Sequence, residues 1–320
     1  KAEAKRQAAQ HNEAPALEAW KVYIETRKSR WSANHLADHD NVAKEGGKKR
    51  TRGRRPGEPE LTQPGALRPL LLRPLSDIDA DTVRNWLQDE AARRPTHARL
   101  AFGLLRAFLN WCSDRKEYRA MAHADACTAR IAKDQLPKKA AKDDCLQREQ
   151  LPAWFKQVDS IKNPVIATYL QMALLTGARR EEIAGLKWSD VDFKWNTIRM
   201  HDKVDGERVI PLTPYVAALL KTLKRINDTP PPKYRILNGR KVDNDLTNWK
   251  PPKWVFASKT AESGRLQEPR IQHTKACTAA GISGLTIHGL RRSFGTLSEW
   301  VECPAGIVAQ IQGHKPSATA

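Results

Sequence analysis

The second half of the chain carries the stretch Thr176-Gly177-Ala178-Arg179-Arg180-Glu181-Glu182, the first of a series of motifs that decides the fold. Lys203 stands before the run Val209-Ile210-Pro211-Leu212, and His288-Gly289-Leu290-Arg291-Arg292 and Gly313-His314-Lys315 follow further along. Arginine grips phosphate oxygens with a planar fork of donors, and lysine and histidine can pass protons to a leaving oxygen. Together these motifs contain the side chains needed to hold and activate a phosphodiester.

Each motif has an ordinary structural interpretation when it is taken alone. Two arginines beside two glutamates, as at 179–182, usually form a solvated helical face with surface ion pairs. His288 and Arg291 are three positions apart and share one face of a helix, but such a pair is more often structural than catalytic. Lys203 in a hairpin is by default an exposed lysine. The order of the motifs is therefore more informative than any one of them.

The motifs follow one another in a specific order. Thr-Gly-x-Arg-x-x-Glu is followed by Leu186-x-Trp188-x-Asp190-x-Asp192, by the hairpin lysine with Val-Ile-Pro-Leu, by His-x-Leu-Arg-Arg-Ser-Phe-Gly-Thr and by Gly-His. This order resembles the tyrosine recombinases, in particular the phage-type and integrative-element integrases. The resemblance covers residues 146–320 by motif, and the N-terminal part is similar only in kind, as a helical core-site-binding domain.

The resemblance implies a fold, an activity and partners. The fold is mainly α-helical with a small antiparallel β-sheet, an α+β architecture in which a core-binding domain and a catalytic domain form a C-shaped clamp on DNA. The activity is integration or excision of a phage or mobile element through a 3′-phosphotyrosine intermediate, with no metal or other cofactor. The partners are double-stranded attachment sites, further copies of the chain in a homo-tetramer on synapsed DNA, and accessory DNA-bending proteins.

The resemblance also implies a role for each matched side chain. Arg179 and Arg291 would neutralise the nonbridging oxygens, where negative charge builds in the transition state. Lys203 would protonate the leaving 5′-oxygen. His288 would assist proton transfer to or from the nucleophile, and His314 would hydrogen-bond the phosphate.

Two further expectations complete the implied site. Glu182 is expected to orient the arginines rather than to react. The nucleophilic tyrosine of the family lies shortly after Gly-His, so it is expected beyond Ala320, and residues 1–320 by themselves are expected to bind DNA without cleaving it. The tyrosines of this chain all precede that motif and match no nucleophile position: Tyr23, Tyr118, Tyr169, Tyr215 and Tyr234.

Composition favours a nucleic-acid partner. The 320 residues carry 55 lysines and arginines against 36 acidic residues, a formal net charge of +19. Such a surplus attracts polyanions, although on charge alone a basic protein without such a partner is an equal alternative. The five cysteines form no Cys-x-x-Cys pair, which favours reduced thiols over disulfides or zinc. With no apolar run of membrane-spanning length, a cytoplasmic, nucleoid-associated protein of a bacterium or phage is expected.

The sequence predicts two domains. Residues 1–140 read as a helical bundle that binds the core site and residues 141–320 as the catalytic domain, with a polar linker over 136–144. Basic residues in and near these segments are candidates for DNA contacts, although a solvated linker explains the first cluster equally well. The candidates are Lys48, Lys49, Arg50, Lys138, Lys139 and Arg292.

Apolar periodicity and turn residues predict most of the individual elements. Ser76 or Asp79 is expected to cap a helix that ends near Asp89, and Leu100 is expected to point inward from the helix 96–116. The other predicted elements are helices over 1–30, 147–158, 165–176, 216–226, 270–281, 287–299 and 304–312, strands over 195–200, 208–212 and 254–258, a flexible loop over 41–69 and an irregular segment over 228–252.

Two other functions fit part of the pattern. A type IB topoisomerase has a very similar site and would relax supercoils without synapsis, but the Gly313-His314 step and the helical N-terminal part favour a recombinase. A DNA-binding factor without catalytic activity would not need the full set of phosphate-handling residues.

Overall fold

The computed structural model describes residues 15–50, 57, 59–138, 140–202, 206–237 and 240–314. The chain divides into two compact units, Lys1–Ala140 and Ala141–Ala320. Both units are built mainly of helices, and every strand described belongs to the second. Among the residues described, no helix is long and apolar enough to cross a membrane. The mainly helical architecture with a small antiparallel sheet confirms the fold class predicted from the sequence.

The first unit is a helical bundle whose helix ends are set by local capping. The side chain of Asp79 accepts a hydrogen bond of 2.8 Å from the backbone N–H of Thr82, which makes Asp79 rather than Ser76 the N-cap. Pro95 opens the next helix, at a position where no backbone N–H is needed. The helices are α1 Ala16–Arg27, α2 Ala33–Ala43, α3 Arg68–Leu71, α4 Ala80–Arg93, α5 Pro95–Ser113 and α6 Ala129–Gln135.

Aromatic side chains fill much of the core of the first unit. The rings of Trp20 and Phe108 meet edge to face with 5.1 Å between centroids, and His39 stacks on Trp31 at 4.0 Å. The prediction that Leu100 points inward is wrong, since this residue is 38% exposed. It lies in the first turns of α5, next to the buried Ala101 but outside the buried face of the helix.

A short antiparallel ladder occupies part of the basic stretch 41–69, where the sequence predicted a flexible loop. The N–H of Arg50 donates to the carbonyl of Glu60 at 2.9 Å, and the N–H of Thr62 donates to the carbonyl of Lys48 at 2.8 Å. Residues 51–56 and 58, between the paired segments, lie outside the described residues. The glycines and prolines marked the whole stretch as irregular, but the residues on either side of them can pair through their backbones.

The second unit combines helices with a three-stranded antiparallel sheet in the order β1-β2-β3. In the β2–β3 pair, Ile198 stands opposite Ile210 and Met200 stands opposite Arg208. The strands are β1 Val191–Asp192, β2 Thr197–Asp202, β3 Gly206–Pro211 and the separate hairpin β4 Tyr234–Leu237 and β5 Arg240–Asp243. The helices are α7 Leu151–Asp159, α8 Pro164–Thr176, α9 Arg180–Ala184, α10 Pro214–Asp228, α11 Arg270–Ala279, α12 Ile287–Trp300 and α13 Ala305–Gln312.

The core of the second unit surrounds α8, in which nine of the thirteen residues are buried. The rings of Tyr169 and Phe256 meet edge to face at 5.4 Å between centroids, and both side chains are fully buried. The hydroxyl of Tyr169 donates to the backbone carbonyl of Arg180 at 3.0 Å. This bond fixes the start of α9 on the central helix and therefore fixes the segment in which Arg179 lies.

Two element predictions in this unit are wrong. Residues 254–258 are not a strand, because Trp254 bridges to Lys187 while Ala257 bridges to Arg265, and pairing with two different segments makes no continuous ladder. Residues 228–252 are not wholly irregular, because they contain the β4–β5 hairpin. The three prolines that precede this hairpin hid its short β-branched strands from the sequence interpretation.

Candidate active site

A tight turn after α8 presents Arg179. Gly177 follows the helix with a φ of 57°, the left-handed conformation that glycine adopts without strain. A Cβ atom at Gly177 would lie 2.5 Å from the ring of Phe294, so this position also has no room for a side chain. The chain then turns directly into α9, whose N-cap residue is Arg179. The Thr-Gly-x-Arg motif thus sets the point from which the Arg179 side chain extends.

The carboxylate of Glu182 binds two arginines at once. Arg208 donates from Nη1 to Oε1 at 2.9 Å and from Nη2 to Oε2 at 2.6 Å, a bidentate fork. Arg179 donates from Nη1 to Oε1 at 2.8 Å and from its backbone N–H to Oε2 at 2.8 Å. Burial raises the pKa of Glu182, but the hydrogen bonds from Arg208 and Arg179 outweigh burial and hold this pKa below its usual value. The carboxylate therefore stays ionised and orients both guanidinium groups.

Helix α12 carries His288 and Arg291 on one face. The hydroxyl of Thr286 accepts a hydrogen bond from the N–H of Gly289 at 3.0 Å and caps the helix. Arg291 is only 7% exposed, and its Nη1 donates to the carbonyl of Gly177 at 2.6 Å. A buried guanidinium group needs hydrogen-bond acceptors, and the turn that presents Arg179 supplies one acceptor for Arg291, the carbonyl of Gly177.

Three arginines bind the C-terminal end of α13. The last carbonyls of a helix lack partners within the helix and form the negative end of its dipole. Arg179 and Arg291 are neighbours at this point, because they bind the carbonyls of adjacent peptide units. The three bonds run from Arg208 Nε to Ile311 at 3.0 Å, from Arg291 Nη2 to Gln312 at 2.8 Å and from Arg179 Nη2 to Gly313 at 3.3 Å.

His314 follows this helix end directly. Gly313 ends α13 in the left-handed conformation, and the Nε2 atom of the exposed His314 lies 3.0 Å from Nη2 of Arg291. Since arginine can only donate, this contact is a hydrogen bond only when Nε2 is unprotonated. Partial burial and the positive charges of Arg291, Arg179 and Arg208 lower the pKa of His314, which favours the neutral imidazole.

A cavity of about 1020 Å³ adjoins this cluster and is lined by Arg179, Glu182 and His288, among others. His288 is exposed at the start of α12. Partial burial and the nearby charges of Arg292 and Arg291 lower the pKa of His288. A neutral imidazole can take up a proton, so the wall of the cavity that Arg179 lines also offers a proton acceptor.

Four residues that the sequence singled out meet at one point of the second unit, and a fifth lines the adjoining cavity. Lys203 and Lys139 lie outside the described residues. The strand β2 ends just before Lys203, at Asp202, and β3 begins at Gly206. The four residues that meet are Arg179, Glu182, Arg291 and His314, and the fifth is His288.

The candidate DNA contacts occupy separate places, and their contact with DNA stays a prediction. Arg292 forms an ion pair with Asp144, and the carboxylate of Asp144 also accepts hydrogen bonds from the N–H of Thr286 at 3.1 Å and from its hydroxyl at 2.6 Å. This cluster fixes the start of the second unit on α12. In the first unit, the side chains of Lys48, Lys49 and Lys138 are exposed and that of Arg50 is half-buried.

Arg208 is a residue of this site that the sequence interpretation missed. Its side chain is 15% exposed and points to the same side of β3 as the buried Ile210. A charged residue at an inward position of a strand requires a buried partner of opposite charge, which was the signal available. That partner, Glu182, lies on a different element, and no local pattern indicates the pairing.

The cluster has the charge balance of an anion site. Arg179 and Arg208 share the carboxylate of Glu182, and Arg291 joins these two arginines at the end of α13. Positive charge therefore exceeds negative charge at a partly exposed position, with donors held in fixed directions. Such a preorganised set of donors is suited to stabilising negative charge on phosphate oxygens.

Two family models match the chain. The model described as the phage integrase core-binding domain matches residues 15–134, and the model described as the phage integrase family matches residues 145–320. Prophage integrase IntF of Escherichia coli (strain K12) is 44% identical over 311 residues, which cover 94% of this chain and 62% of that protein. The chain therefore spans less than two thirds of the length of this relative.

Solved structures share the fold at low sequence identity. A lambda integrase dimer bound to a COC′ core site has a TM-score of 0.65 and 16% identity, covering 98% of this chain and 78% of that chain. The Tn1549 transposon integrase in complex with circular intermediate DNA has a TM-score of 0.66 and 12% identity, covering 94% of this chain and 92% of that chain. These similarities extend over both units of the chain.

Proposed function

The chain belongs to the phage integrase family of tyrosine recombinases, and on that basis we propose that it acts in site-specific DNA recombination, integrating or excising a phage or mobile element. The observation that carries this proposal is the fixed pair of Arg179 and Arg291, bound to adjacent carbonyls at the end of α13. Two guanidinium groups bound to adjacent carbonyls suit the two nonbridging oxygens of one phosphodiester.

In the proposed reaction, a tyrosine beyond Ala320 attacks the scissile phosphorus. The bond from its Oη atom to phosphorus forms, and the bond from phosphorus to the 5′-oxygen breaks. His288 takes the proton of the attacking hydroxyl, and Lys203 gives a proton to the departing 5′-oxygen. The products are a 3′-phosphotyrosine and a free 5′-hydroxyl. Attack by the 5′-hydroxyl of another strand reverses these steps and rejoins the DNA.

The described side chains support this reaction by holding charge in place. Arg179 and Arg291 neutralise the nonbridging oxygens, and Glu182 fixes the direction of Arg179. The lowered pKa of His314 favours the neutral imidazole beside Arg291, which can donate a hydrogen bond from its other ring nitrogen to the phosphate. None of these steps uses a group from outside the protein and the DNA.

We further propose the partners and the place of action. The substrates are two double-stranded attachment sites, brought together by a homo-tetramer of the chain, with accessory DNA-bending proteins at some sites. The first unit contacts the core site and the second carries the reaction. The reaction takes place in the cytoplasm, where bacterial and phage DNA is found.

The test of the proposed function is a covalent adduct. We expect the protein that includes the residues after Ala320 to become attached to a nicked attachment-site duplex, whose nick lets the short 5′-hydroxyl fragment diffuse away and so prevents rejoining. Digestion and mass spectrometry should place the 3′-phosphate on a tyrosine beyond Ala320. An adduct on Tyr215, Tyr234 or a serine would contradict the proposal. Relaxation of a supercoiled plasmid without attachment sites would favour a topoisomerase instead.

The basic ladder of the first unit provides a second prediction. Replacing Lys48, Lys49 and Arg50 with alanine should make the dependence of DNA binding on salt less steep, because each lost phosphate contact removes about 0.9 from the log–log slope. The parental slope should lie at roughly −5 to −9 if about 6–10 phosphates are neutralised. Fluorescence anisotropy at several salt concentrations measures both slopes. The matched control is a Lys21→Ala/Lys28→Ala variant, whose side chains pair with glutamates of α1. An unchanged slope in the triple variant would mean that this segment touches no phosphate.

A further inference from the structure

Arg208 makes contacts that no step of the proposed reaction uses. It lies on β3, yet its guanidinium group binds a side chain of one other element and a backbone carbonyl of another. Nη1 and Nη2 grip the carboxylate of Glu182 on α9, and Nε donates to the carbonyl of Ile311 near the end of α13. A single planar group therefore joins a strand, a helix start and a helix end.

The fit of this group is close. A Cβ atom at Gly313 would lie 3.0 to 3.1 Å from Nη1, Cζ and Nε of Arg208, so the guanidinium plane packs against the backbone of Gly313. The Arg208 side chain is 15% exposed and that of Glu182 is 5% exposed. Little water competes for these bonds, which makes the geometry stiff. A substitution at Arg208 would therefore alter the position of Gly313 and of His314, the next residue.

The same contacts reach Arg179 by a second route. The Oε1 atom of Glu182 accepts from both Arg208 and Arg179, and Oε2 accepts from Arg208 and from the backbone N–H of Arg179. Without the fork from Arg208, the carboxylate would be held from one side only. Arg179 would then keep its charge but lose its fixed direction.

We propose that Arg208 is a positioning residue, which fixes Arg179 through Glu182 and fixes the Gly313-His314 segment through the carbonyl of Ile311. Arg208 does not contact the phosphate in this assignment. The inference rests on the proposed recombinase function, since it concerns the same site. It predicts that loss of Arg208 slows bond cleavage much more than it weakens DNA binding.

The first experiment measures single-turnover cleavage of the nicked duplex at saturating protein, using the protein with its residues after Ala320. Arg208→Met should lower the cleavage rate by roughly 10- to 100-fold, the scale of a reacting group displaced by about 1 Å, with DNA affinity changed less than about threefold. Arg199→Met is the matched control, because Arg199 lies on the neighbouring strand in an exposed ion pair with Glu207. This variant should cleave at the parental rate.

Two further variants separate positioning from charge and from simple loss of folding. Arg208→Lys keeps the charge but cannot form the fork, so it should recover only a small part of the lost rate. In a double-mutant cycle, the losses from Arg208→Met and Glu182→Gln should not multiply, because both changes break the link that runs from Arg208 through Glu182 to Arg179. A parental rate in Arg208→Lys, or losses that multiply in the double variant, would overturn the assignment.

The second experiment needs no cleavage and so separates this inference from the proposed function. The N–H of His314 donates to the carbonyl of Ala309 at 2.9 Å, and the N–H of Gly313 donates to that of Gln310 at 3.1 Å. Hydrogen exchange at these two amides should be about tenfold faster in Arg208→Met than in the parental protein, while amides of α8 keep their rates. If the parental protein forms no adduct, the function proposal fails. If exchange at Gly313 and His314 is unchanged, the role assigned to Arg208 fails.

Discussion

Replacing Arg291 with alanine is expected to lower the rate of DNA cleavage by about 10²- to 10³-fold, the scale of losing one preorganised donor at a developing charge. The structure adds a second reason for a large effect. Arg291 is buried and donates hydrogen bonds to the carbonyls of Gly177 and Gln312. Its loss therefore also removes one hydrogen bond from each of these two carbonyls. Single-turnover cleavage of a nicked duplex at saturating protein measures the effect.

The corresponding change at Arg179 should separate chemistry from folding. Arg179 is 42% exposed, so Arg179→Ala should leave the stability of the protein nearly unchanged while it lowers the cleavage rate by about 10²-fold. DNA affinity should fall far less in both variants, because many other basic residues share the phosphate contacts. Arg225→Ala, an exposed arginine of α10, is the control for loss of one positive charge. Cleavage at the parental rate by Arg179→Ala and Arg291→Ala would show that the site has been assigned wrongly.

The second large effect is expected at Lys203. General acid catalysis contributes roughly 10²- to 10⁴-fold, so Lys203→Ala should lose about that much on ordinary DNA. A substrate with sulfur in place of the 5′-bridging oxygen has a leaving group that departs without a proton. On that substrate Lys203→Ala should cleave at nearly the parental rate, whereas Arg291→Ala should stay slow because the nonbridging oxygens still carry their charge.

The comparison between the two substrates decides the role of Lys203. Equal losses on the oxygen and sulfur substrates would remove the lysine from the leaving group. Strand β2 ends just before Lys203, and strand β3, which carries Arg208, begins shortly after it. Lys203→Arg is a useful companion variant, because arginine keeps the charge but holds its protons too tightly to act as an acid.

The helices near the site were predictable because their signals are local. Thr286 caps α12 by accepting a bond from the N–H of Gly289, three residues later, and the apolar residues of α12 recur at helical spacing. Gly177 ends α8 in the left-handed conformation that glycine favours. The five positions matched to the family's motifs were predicted differently, from the order of the motifs, because no local rule says that Arg179 and Arg291 meet.

The remaining features could not be predicted because their causes are not local. Arg208 binds Glu182 across 26 positions of sequence and Ile311 across 103, and no pattern within β3 names either partner. The ladder between 47–50 and 60–62 was hidden by the glycines and prolines between its two sides. Trp254 pairs with Lys187, far earlier in the chain, so the short apolar run around it looked like an ordinary strand. In each case tertiary contact overrode the local signal.

The arginine contacts at the end of α13 have a consequence for newly made protein. Arg179 binds a carbonyl that lies 134 residues later in the chain, and Arg208 binds one that lies 103 residues later. At about 5–20 residues per second, a ribosome needs roughly 7 to 27 s to travel from the first of these arginines to its partner. Throughout that interval the core-binding unit is already complete and can fold. Under the proposed function, a growing chain therefore acquires the means to hold DNA well before it acquires the means to break it.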